Sequence, residues 1–527
     1  MFNAISILTI FLSILLANTP AMAELDAPVL LSNPPSNIVN FSINANSEYV
    51  VFNQFEQGDR DDIGNRLSIR IDGSNPANIL RSNILFSTEV EFSLDNDDER
   101  VISLDSSTGG LLSTSLNGQP AISLLAPNNE RIIEFSESND NTQFQVFLTD
   151  QGNLYSINSD GNSPAILLSS NINTAEGEFV DLFRVSPDRL NVIFITLSSN
   201  DTSFDQNIFS VPINGSLAPT SIHDVPPNVN ISNSILIDNS SSRVIYTLNT
   251  AASTQLFSTL IDGSSAPVTL SDGLIISEFQ GVFINFKISN DSQSIVFSVE
   301  DSSTGLSTLF AVPADGNKAP IVIDEALEFD DFKISNNSKI IIYTPLTALR
   351  SSGGQRDILS ASINGNSPPV SLLNASGLNR EIIEVSTSSD FVISNNSEYV
   401  VFQAENNSTF TTELFIAQAN GTSPAINLIS GIGFFENIGI IINEQQSNIV
   451  FRASEQLLSV NFDGTDLTTL SREQDGRVSS DFLVSPDGNF IVYAAQEGLF
   501  SLNLNKPNNE LCFPIRARNG NFVTICL

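Results

Sequence analysis

The sequence predicts an all-β fold, namely a β-propeller of about ten four-stranded repeats. Three observations support this prediction: a short phrase recurs ten times, a second phrase containing a Gly turn follows each copy, and long helical periodicity is nearly absent. Four-stranded units that repeat every 40–50 residues or so and are arranged radially are typical of propellers. The chain of 527 residues is long enough for such an array.

The first phrase predicts two strands joined by a turn. It reads ISNNSKIIIY at 334–343 and ISNNSEYVVF at 393–402. Six further clear copies and two weaker ones, beginning near Phe92 and Phe135, bring the total to ten. Runs of β-branched residues that end in an aromatic ring favour a buried strand. A Ser/Asn/Asp cluster between two apolar stretches favours a turn.

The second phrase supplies the other two strands of each repeat, and LFSTLIDGSSAPVTL at 256–270 is representative. Its Asp-Gly or Asn-Gly pair provides the positive φ angles that tight hairpin turns need. The Gly recurs at residues 73, 118, 161, 215, 263, 316, 365, 421 and 464. Successive glycines are 43 to 56 residues apart, so strands of constant length are joined by loops of variable length.

The ends of the repeat array predict how the propeller closes. APVLLSN at 27–33 resembles the fourth-strand phrase at 163–171 but lacks three strands before it. We therefore expect residues 27–32 to pair with the last blade, whose third strand is 499–505. In a competing interpretation, ELCFPI is the fourth strand of that blade. Ten repeats exceed the usual four to eight blades, so one large ring or two smaller rings are possible, and closure by the termini favours one ring.

The N-terminus predicts export. An apolar run from Ile5 to Leu16 is followed by Ala21-Met22-Ala23, the small-x-small pattern of a signal-peptidase site. We expect a signal peptide at 1–23 and a propeller at 24–505 of the mature chain. No later segment is long and apolar enough to cross a bilayer.

The C-terminus, residues 506–527, predicts a hairpin packed on the last blade. A three-residue loop at 518–520, with Gly520 in the left-handed position, would place Cys512 opposite Cys526. We expect these two cysteines to form a disulfide, as an oxidising compartment allows. The alternative is two buried free thiols.

The repeats resemble a known family. VSPDGNFIVYAAQEGLFSLNLN at 484–505 looks like the WD-like repeat of TolB-like β-propellers, and Val185-Ser186-Pro187-Asp188 keeps the Ser-Pro-Asp form. The resemblance covers nearly the whole mature chain and implies a blade type and a Gram-negative bacterial source. The chain lacks a counterpart of the α/β domain that precedes the propeller in TolB itself, so the resemblance does not extend to function.

Composition excludes one class of partner. There are 22 Lys and Arg residues against 59 Asp and Glu residues, and the net charge is -37. Nucleic acids and anionic membranes are bound by neutralising phosphates with basic groups. We therefore expect no nucleic-acid partner.

Motifs for catalysis or cofactor binding are missing from the sequence. The single histidine, His223, precludes a multi-histidine metal site. Its neighbour Asp224 suggests a His–Asp pair, but a loop histidine beside an acid is usually ordinary surface. No phosphate-binding glycine loop occurs. We therefore predict no catalytic, cofactor-binding or metal-ligating residue.

Acidic clusters are the remaining candidates. They occur at 59–62, 95–99 and 328–332, in or beside predicted loops. Paired carboxylates can cleave glycosides or bind calcium. None of the clusters has EF-hand spacing, and a chain this acidic is expected to have such loops from composition alone.

These observations favour a non-enzymatic, exported propeller, expected to be monomeric, that binds a protein or peptide through loops of one face. The longest inserts, at 53–66, 196–207 and 344–357, all fall between second and third strands and so emerge on one side. The alternative is a propeller lyase or hydrolase that uses carboxylates with or without a metal ion. A pair of acids converging on the channel with raised pKa values would favour the enzyme. A sensor or structural module is a third possibility.

Overall fold

The computed structural model contains strands that assemble into ten sheets and one separate hairpin. It describes residues 27–32, 36–56, 63–85, 92–94, 100–136, 144–170, 172, 177–199, 204–232, 234–250, 253–271, 285–301, 305–346, 357–373, 383–385, 391–406, 411–432, 439–505, 512–516 and 522–526.

The chain begins with a two-residue strand, β1 (Val29–Leu30), and then forms blades in sequence order. Blades 1 to 5 consist of the following strands: β2 (Ser36–Ile43), β3 (Tyr49–Glu56), β4 (Ile63–Arg70) and β5 (Asn78–Leu85); β6 (Ser93–Leu94), β7 (Arg100–Asp105), β8 (Gly110–Ser115) and β9 (Ile122–Leu124); β10 (Ile132–Phe135), β11 (Phe144–Thr149), β12 (Leu154–Asn158) and β13 (Ile166–Leu167); β14 (Phe179–Val185), β15 (Asn191–Ser199), β16 (Phe204–Pro212) and β17 (Thr220–Asp224); β18 (Asn230–Ile231), β19 (Leu236–Ile237), β20 (Arg243–Asn249), β21 (Thr254–Leu260) and β22 (Val268–Thr269).

Blades 6 to 10 follow the same pattern. Their strands are β23 (Asn285–Ile288), β24 (Ser294–Asp301), β25 (Leu306–Pro313) and β26 (Ile321–Ala326); β27 (Glu328–Ile334), β28 (Ile340–Leu346), β29 (Leu359–Ser362) and β30 (Val370–Ser371); β31 (Ile383–Val385), β32 (Val392–Ile393), β33 (Tyr399–Asn406), β34 (Thr411–Gln418) and β35 (Ile426–Ile432); β36 (Ile440–Asn443), β37 (Asn448–Ala453), β38 (Gln456–Asn461) and β39 (Thr468–Thr469); and β40 (Val478–Val484), β41 (Phe490–Ala495) and β42 (Gly498–Asn503) with β1.

Each blade is an antiparallel sheet in which neighbouring strands in sequence are neighbours in space. In blades 5 and 8 the first strand is split into two short pieces that pair with the same second strand. Among the described residues, helical structure consists of short 3₁₀ turns at Pro127–Asn129 and Glu473–Asp475. No helix in the described part of the chain has the length and hydrophobicity to cross a bilayer. The predicted all-β propeller of four-stranded blades is confirmed.

The N-terminal strand completes the last blade. Val29 lies opposite Ser501, and Leu30 lies opposite Phe500. The Leu31 N–H then donates to the Leu499 carbonyl at 2.7 Å. The competing interpretation of ELCFPI as this fourth strand is wrong, because β43 (Cys512–Arg516) pairs instead with β44 (Phe522–Cys526).

The hydrophobic core is distributed between blades, and this distribution shows that the blades form a single ring. Ten clusters of buried side chains each join two successive blades. One of them closes the circle, because it packs Val492 and Leu499 of blade 10 against Val50 and Phe52 of blade 1. Two smaller rings would need two such closures. The preference for one ring over two is therefore confirmed.

Hydrogen bonds between turns explain why the first phrase recurs. Ser335 Oγ accepts from the Ile340 N–H at 3.0 Å and donates to Asn337 Oδ1 at 2.8 Å, which fixes the turn. The Asn337 N–H then donates to Ser397 Oγ of the next blade at 3.0 Å. Ser397 has a φ of 63°. Equivalent bonds join Asp188 to Ser241, Ser240 to Ser292, Asp291 to Ser338 and Asp487 to Ser47. The repeated serines thus link neighbouring blades at five junctions of the ring.

The recurring Gly of the second phrase is required for two reasons. Gly316 has a φ of 67°, which side-chain-bearing residues rarely adopt. A Cβ on this residue would also lie 2.5 Å from Val268 Cγ1 on β22, the last strand of the preceding blade, which is its outer strand. The same arrangement recurs at Gly161 against Ile122 and at Gly421 against Val370. The turn therefore lets the outer strand of one blade pack closely on the next.

We expect Gly316→Ala to destabilise the ring by about 2–4 kcal/mol, since backbone strain and overpacking add. The matched control is Gly305→Ala in the same blade. Gly305 has a φ of 69°, and nothing lies within 4 Å of the position of its Cβ. Gly305→Ala should lower the free energy of unfolding by only about 1 kcal/mol, because it adds backbone strain alone. Urea unfolding measures both, and equal losses would show that the contact with the preceding blade has no energetic role.

Candidate functional site

A cavity of 1060 Å³ lies against one sector of the channel. It is lined by residues from the first strands of blades 1 to 4 and the segments beside them, together with Leu104 on the second strand of blade 2. The first strand of each blade is therefore the inner strand, and the fourth is the outer strand. Because the inner strands of four blades converge here, residues far apart in sequence share one space.

The cavity wall combines aromatic rings, hydroxyl groups and a few charges. Phe41, Phe92, Phe135 and Phe183 contribute rings. Serine side chains follow most of these rings in sequence, and the charged lining residues are Glu134, Arg184 and Arg189. An apolar wall with few convergent polar groups is typical of a small-molecule or peptide site.

Two carboxylates lie at irregularities of adjacent inner strands. The register of β10 with β11 shifts between Ile132 and Glu134. The register of β14 with β15 shifts between Val180 and Leu182, so that Asp181 is the extra residue. Such bulges redirect side chains and occur frequently beside active sites. The two bulges bring Glu134 and Asp181 within electrostatic range of one another.

The carboxyl group of Glu134 is electrostatically perturbed. Burial against the wall raises its pKa above the ordinary value of 4.5, the Arg184 guanidinium opposes that rise, and the Asp181 charge adds to it. A raised pKa keeps a carboxylic acid protonated, and therefore able to donate a proton, at a higher pH than usual. The site thus places a carboxyl group with a raised pKa near a second acidic residue and a cation.

Sequence reasoning missed these residues because each lies inside an apolar strand phrase. The signal was present as charges within inner-strand segments, in IIEF at 132–135 and VDLFRV at 180–185. The residue before the inner-strand aromatic ring is acidic in other repeats as well, as at Asp331 and Asp481, whereas the positions equivalent to Asp181 and Arg184 are apolar or Ser in several other repeats. The sequence does not show that the inner strands line a cavity, so these charged residues look the same as solvent-facing ones.

The single histidine has a structural partner. His223 lies half-buried in β17, rather than in a loop, and its Nδ1 is 2.6 Å from Tyr246 Oη of the next blade. In a similar way, the Tyr343 hydroxyl donates to Asp324 on β26 of the preceding blade, and the Tyr493 hydroxyl donates to Asp475 in the 3₁₀ turn before its own blade. His223 therefore satisfies a buried tyrosine, and the interpretation of it as ordinary surface is wrong.

We expect His223 to titrate below its ordinary pKa of 6.5, because burial lowers its pKa more than Asp224 raises it. The unfolded chain binds the proton first as the pH falls. Stability from this group is therefore present above about pH 6.5 and is lost as the pH falls toward the lowered folded pKa. The only histidine gives a single set of ring signals in an NMR titration. A midpoint at or above 6.5 would contradict the expectation, and His223→Gln should remove this component of the pH dependence.

Of the three acidic clusters noted in the sequence, the structure describes one. Residues 328–332 lie in inner strand β27, not in a loop, and Asp331 there pairs with Lys287 at 2.9 Å. The clusters at 59–62 and 95–99 lie outside the described residues. Across the described ranges, no group of three His, Cys, Asp or Glu side chains is placed to hold a metal ion.

The predicted inserts are partly strand. The chain continues as strand to Glu56 and resumes at Ile63, and β15 and β16 pair out to Ser199 opposite Phe204. The tips at 57–62, 200–203 and 347–356 lie outside the described residues. At the C-terminus, Cys512 lies opposite Cys526 in the backbone register, as the sequence predicted. The disulfide itself stays a prediction.

Fold and site together define the chain as a ten-bladed β-propeller with a charged, aromatic cavity in its channel. No family model matches the chain, and no curated protein matches it. Solved structures of similar fold are numerous. The resemblance to TolB-like propellers is thus confirmed as a propeller and no further.

Three solved structures illustrate the similarity. The tricorn protease is 12% identical with a TM-score of 0.33, and the match covers 89% of this chain and 48% of that one. A eukaryotic initiation factor is 8% identical with a TM-score of 0.46, covering 76% and 90%. Dipeptidyl peptidase 4 of Porphyromonas gingivalis is 9% identical with a TM-score of 0.46, covering 80% and 65%. The chain spans about half the length of the tricorn protease.

The predicted non-enzymatic scaffold is the wrong interpretation. Of the acids that the enzyme alternative required, Glu134 lines the cavity and has a pKa raised by burial, and the charge of the nearby Asp181 adds to that rise.

Proposed function

We propose that this propeller is a hydrolase whose reaction takes place in the channel cavity, with Glu134 as the proton donor. The observation that carries the proposal is Glu134 in the wall of an aromatic cavity, with Asp181 within electrostatic range on the adjacent bulged inner strand. Two acids in unequal environments are the arrangement by which one gives a proton while the other accepts one.

The chemistry balances with water as the co-reactant. The Asp181 carboxylate takes a proton from water, and the water oxygen forms a bond to the carbonyl carbon of an amide. Glu134 gives its proton to the amide nitrogen as the carbon–nitrogen bond breaks. An acid and an amine leave, and proton exchange between the two carboxyl groups through solvent restores the starting state.

A turnover assay on the full chain tests the proposal. Wild-type protein is incubated with a panel of N-acetylated tripeptides that differ in the side chains flanking the bond, and with a glycoside panel. We expect cleavage of peptides with activity falling as the pH rises through the raised pKa of Glu134, since the protonated form is the active one. Absence of turnover on every peptide across the pH range where the chain stays folded would overturn the proposal.

We also propose that residues 1–23 are a signal peptide, removed on export, and that Cys512 and Cys526 form a disulfide bond. The N-terminal sequence and the facing register of the two cysteines support this. The N-terminal residue and the unreduced mass of protein recovered from a Gram-negative host test both parts.

A further inference from the structure

We propose that Arg184 is a carboxylate-binding residue and that the substrate is a peptide held by its free C-terminal carboxylate in the cavity. That the bound peptide is a substrate rests on the proposed function, whereas the carboxylate-binding site is inferred from geometry and charge alone. A comparison of three repeats that carry a cation at the same position supports this binding site.

Three inner strands place a cation at the same repeat position. Arg184, Lys287 and Lys333 each lie two residues before the turn serine of their blade. Their registers agree as well, because they lie opposite Ile193, Val296 and Ile342 on the second strands of their blades. The three residues therefore occupy equivalent positions in the fold, but one is an arginine and their surroundings differ.

The two lysines already have partners. Lys287 Nζ lies 2.9 Å from Asp331 Oδ1, and Lys333 Nζ lies 3.9 Å from Asp331 Oδ2. Lys333 also donates to the Phe391 carbonyl at 2.7 Å. One carboxylate thus lies within ion-pair distance of both cations, so a ligand carboxylate at either lysine would compete with Asp331.

Arg184 differs from them. Its described hydrogen bond runs from one guanidinium nitrogen to the carbonyl of the adjacent Phe183, at 2.8 Å. It acts on Glu134 electrostatically, yet within the described residues it has no carboxylate at ion-pair distance. It is exposed and lines the cavity. A guanidinium with spare donors matches a carboxylate in two-pronged geometry.

The rest of the wall indicates a peptide as the source of that carboxylate. Phe41, Phe92, Phe135 and Phe183 offer apolar surface for a side chain. The net charge of -37 repels polyanions, so a ligand with one carboxylate fits better than a polyuronate. Glu134 would then lie near the terminal residues of the peptide.

Calorimetric titration of the full chain with matched probes tests the site. The probes are N-acetyl-Ala-Ala-Phe as the free acid, the same peptide as its amide, and trigalacturonate. We expect the acid to bind about tenfold more tightly than the amide, the size of one charge-assisted hydrogen bond. Repeating the titrations with Glu134→Gln protein keeps turnover from contributing.

Matched variants assign the preference to one residue. Arg184→Gln should abolish the preference for the acid, while Lys287→Gln, its repeat equivalent with a carboxylate partner, should retain it. Circular dichroism melting confirms that both remain folded. Equal binding of acid and amide, a preference that survives Arg184→Gln, binding of trigalacturonate alone, or no binding of any probe would each overturn the inference.

The outcomes separate the two proposals. If the acid preference is found but no peptide is cleaved by wild-type protein, the hydrolase fails and the carboxylate site stands. If peptides are cleaved while acid and amide bind equally, the carboxylate site alone fails.

Discussion

Glu134→Gln is expected to lower kcat/KM by about 100-fold or more, the usual contribution of one general acid. Glutamine keeps the size of the side chain but cannot give up a proton. The pH dependence assigned to the raised pKa of Glu134 should disappear with it. Rates are measured on the best substrate of the peptide panel, across the pH range in which the chain stays folded.

Glu328→Gln is the matched control. Glu328 is an exposed glutamate on inner strand β27 of blade 7, and it does not line the cavity. The same chemical change there should leave kcat/KM within about twofold of wild type, as expected for a residue that does not contact the reacting groups. If both variants lose activity equally, the loss comes from the charge of the ring rather than from proton donation.

Removing the residues up to Ser32 is expected to produce the largest loss of stability. The closing strand buries Leu31, which is 4% exposed, between blades 10 and 1. It also supplies the bonds from the Leu31 N–H to the Leu499 carbonyl and from the Leu499 N–H to Ser32 Oγ. Apolar burial and two hydrogen bonds amount to about 5 kcal/mol. The shortened chain also exposes an unpaired strand edge, which promotes association.

Urea unfolding and light scattering measure these two effects. A pair of neighbouring substitutions provides the control within the intact chain. Leu31→Ala should cost about 2–5 kcal/mol, because it leaves a cavity in the core. Leu30→Ala should cost under about 1 kcal/mol, because Leu30 is 39% exposed. An unchanged unfolding midpoint after the truncation would show that the ring does not depend on closure by β1.

The local features of the blades could be predicted from sequence because they depend on residues close together in the chain. The turn of ISNNSKIIIY is fixed by Ser335 and Asn337 within one phrase. The glycine of the second phrase, as in Gly316, follows from a positive φ. The same locality explains why the register of Cys512 with Cys526 was predicted correctly.

The roles of individual side chains were harder to predict. The sequence shows that a strand ends in Phe or Tyr but not which partner a tyrosine hydroxyl meets. His223 is 23 residues from Tyr246 and belongs to another blade. Its partner is set by how two blades pack, and that packing cannot be read from the residues around either one.

The sequence by itself determined the repeat, its four strands, the turns and the strand that closes the ring, because backbone propensity and hydrophobic periodicity act over a few residues. Only the tertiary structure decided that ten blades form a single ring, and that the bulges at Glu134 and Asp181 meet beside Arg184. The physical reason is that blade number depends on the summed angles between packed sheets. The candidate site depends on charged side chains from two blades. These side chains interact electrostatically only when the folded ring brings the two blades together.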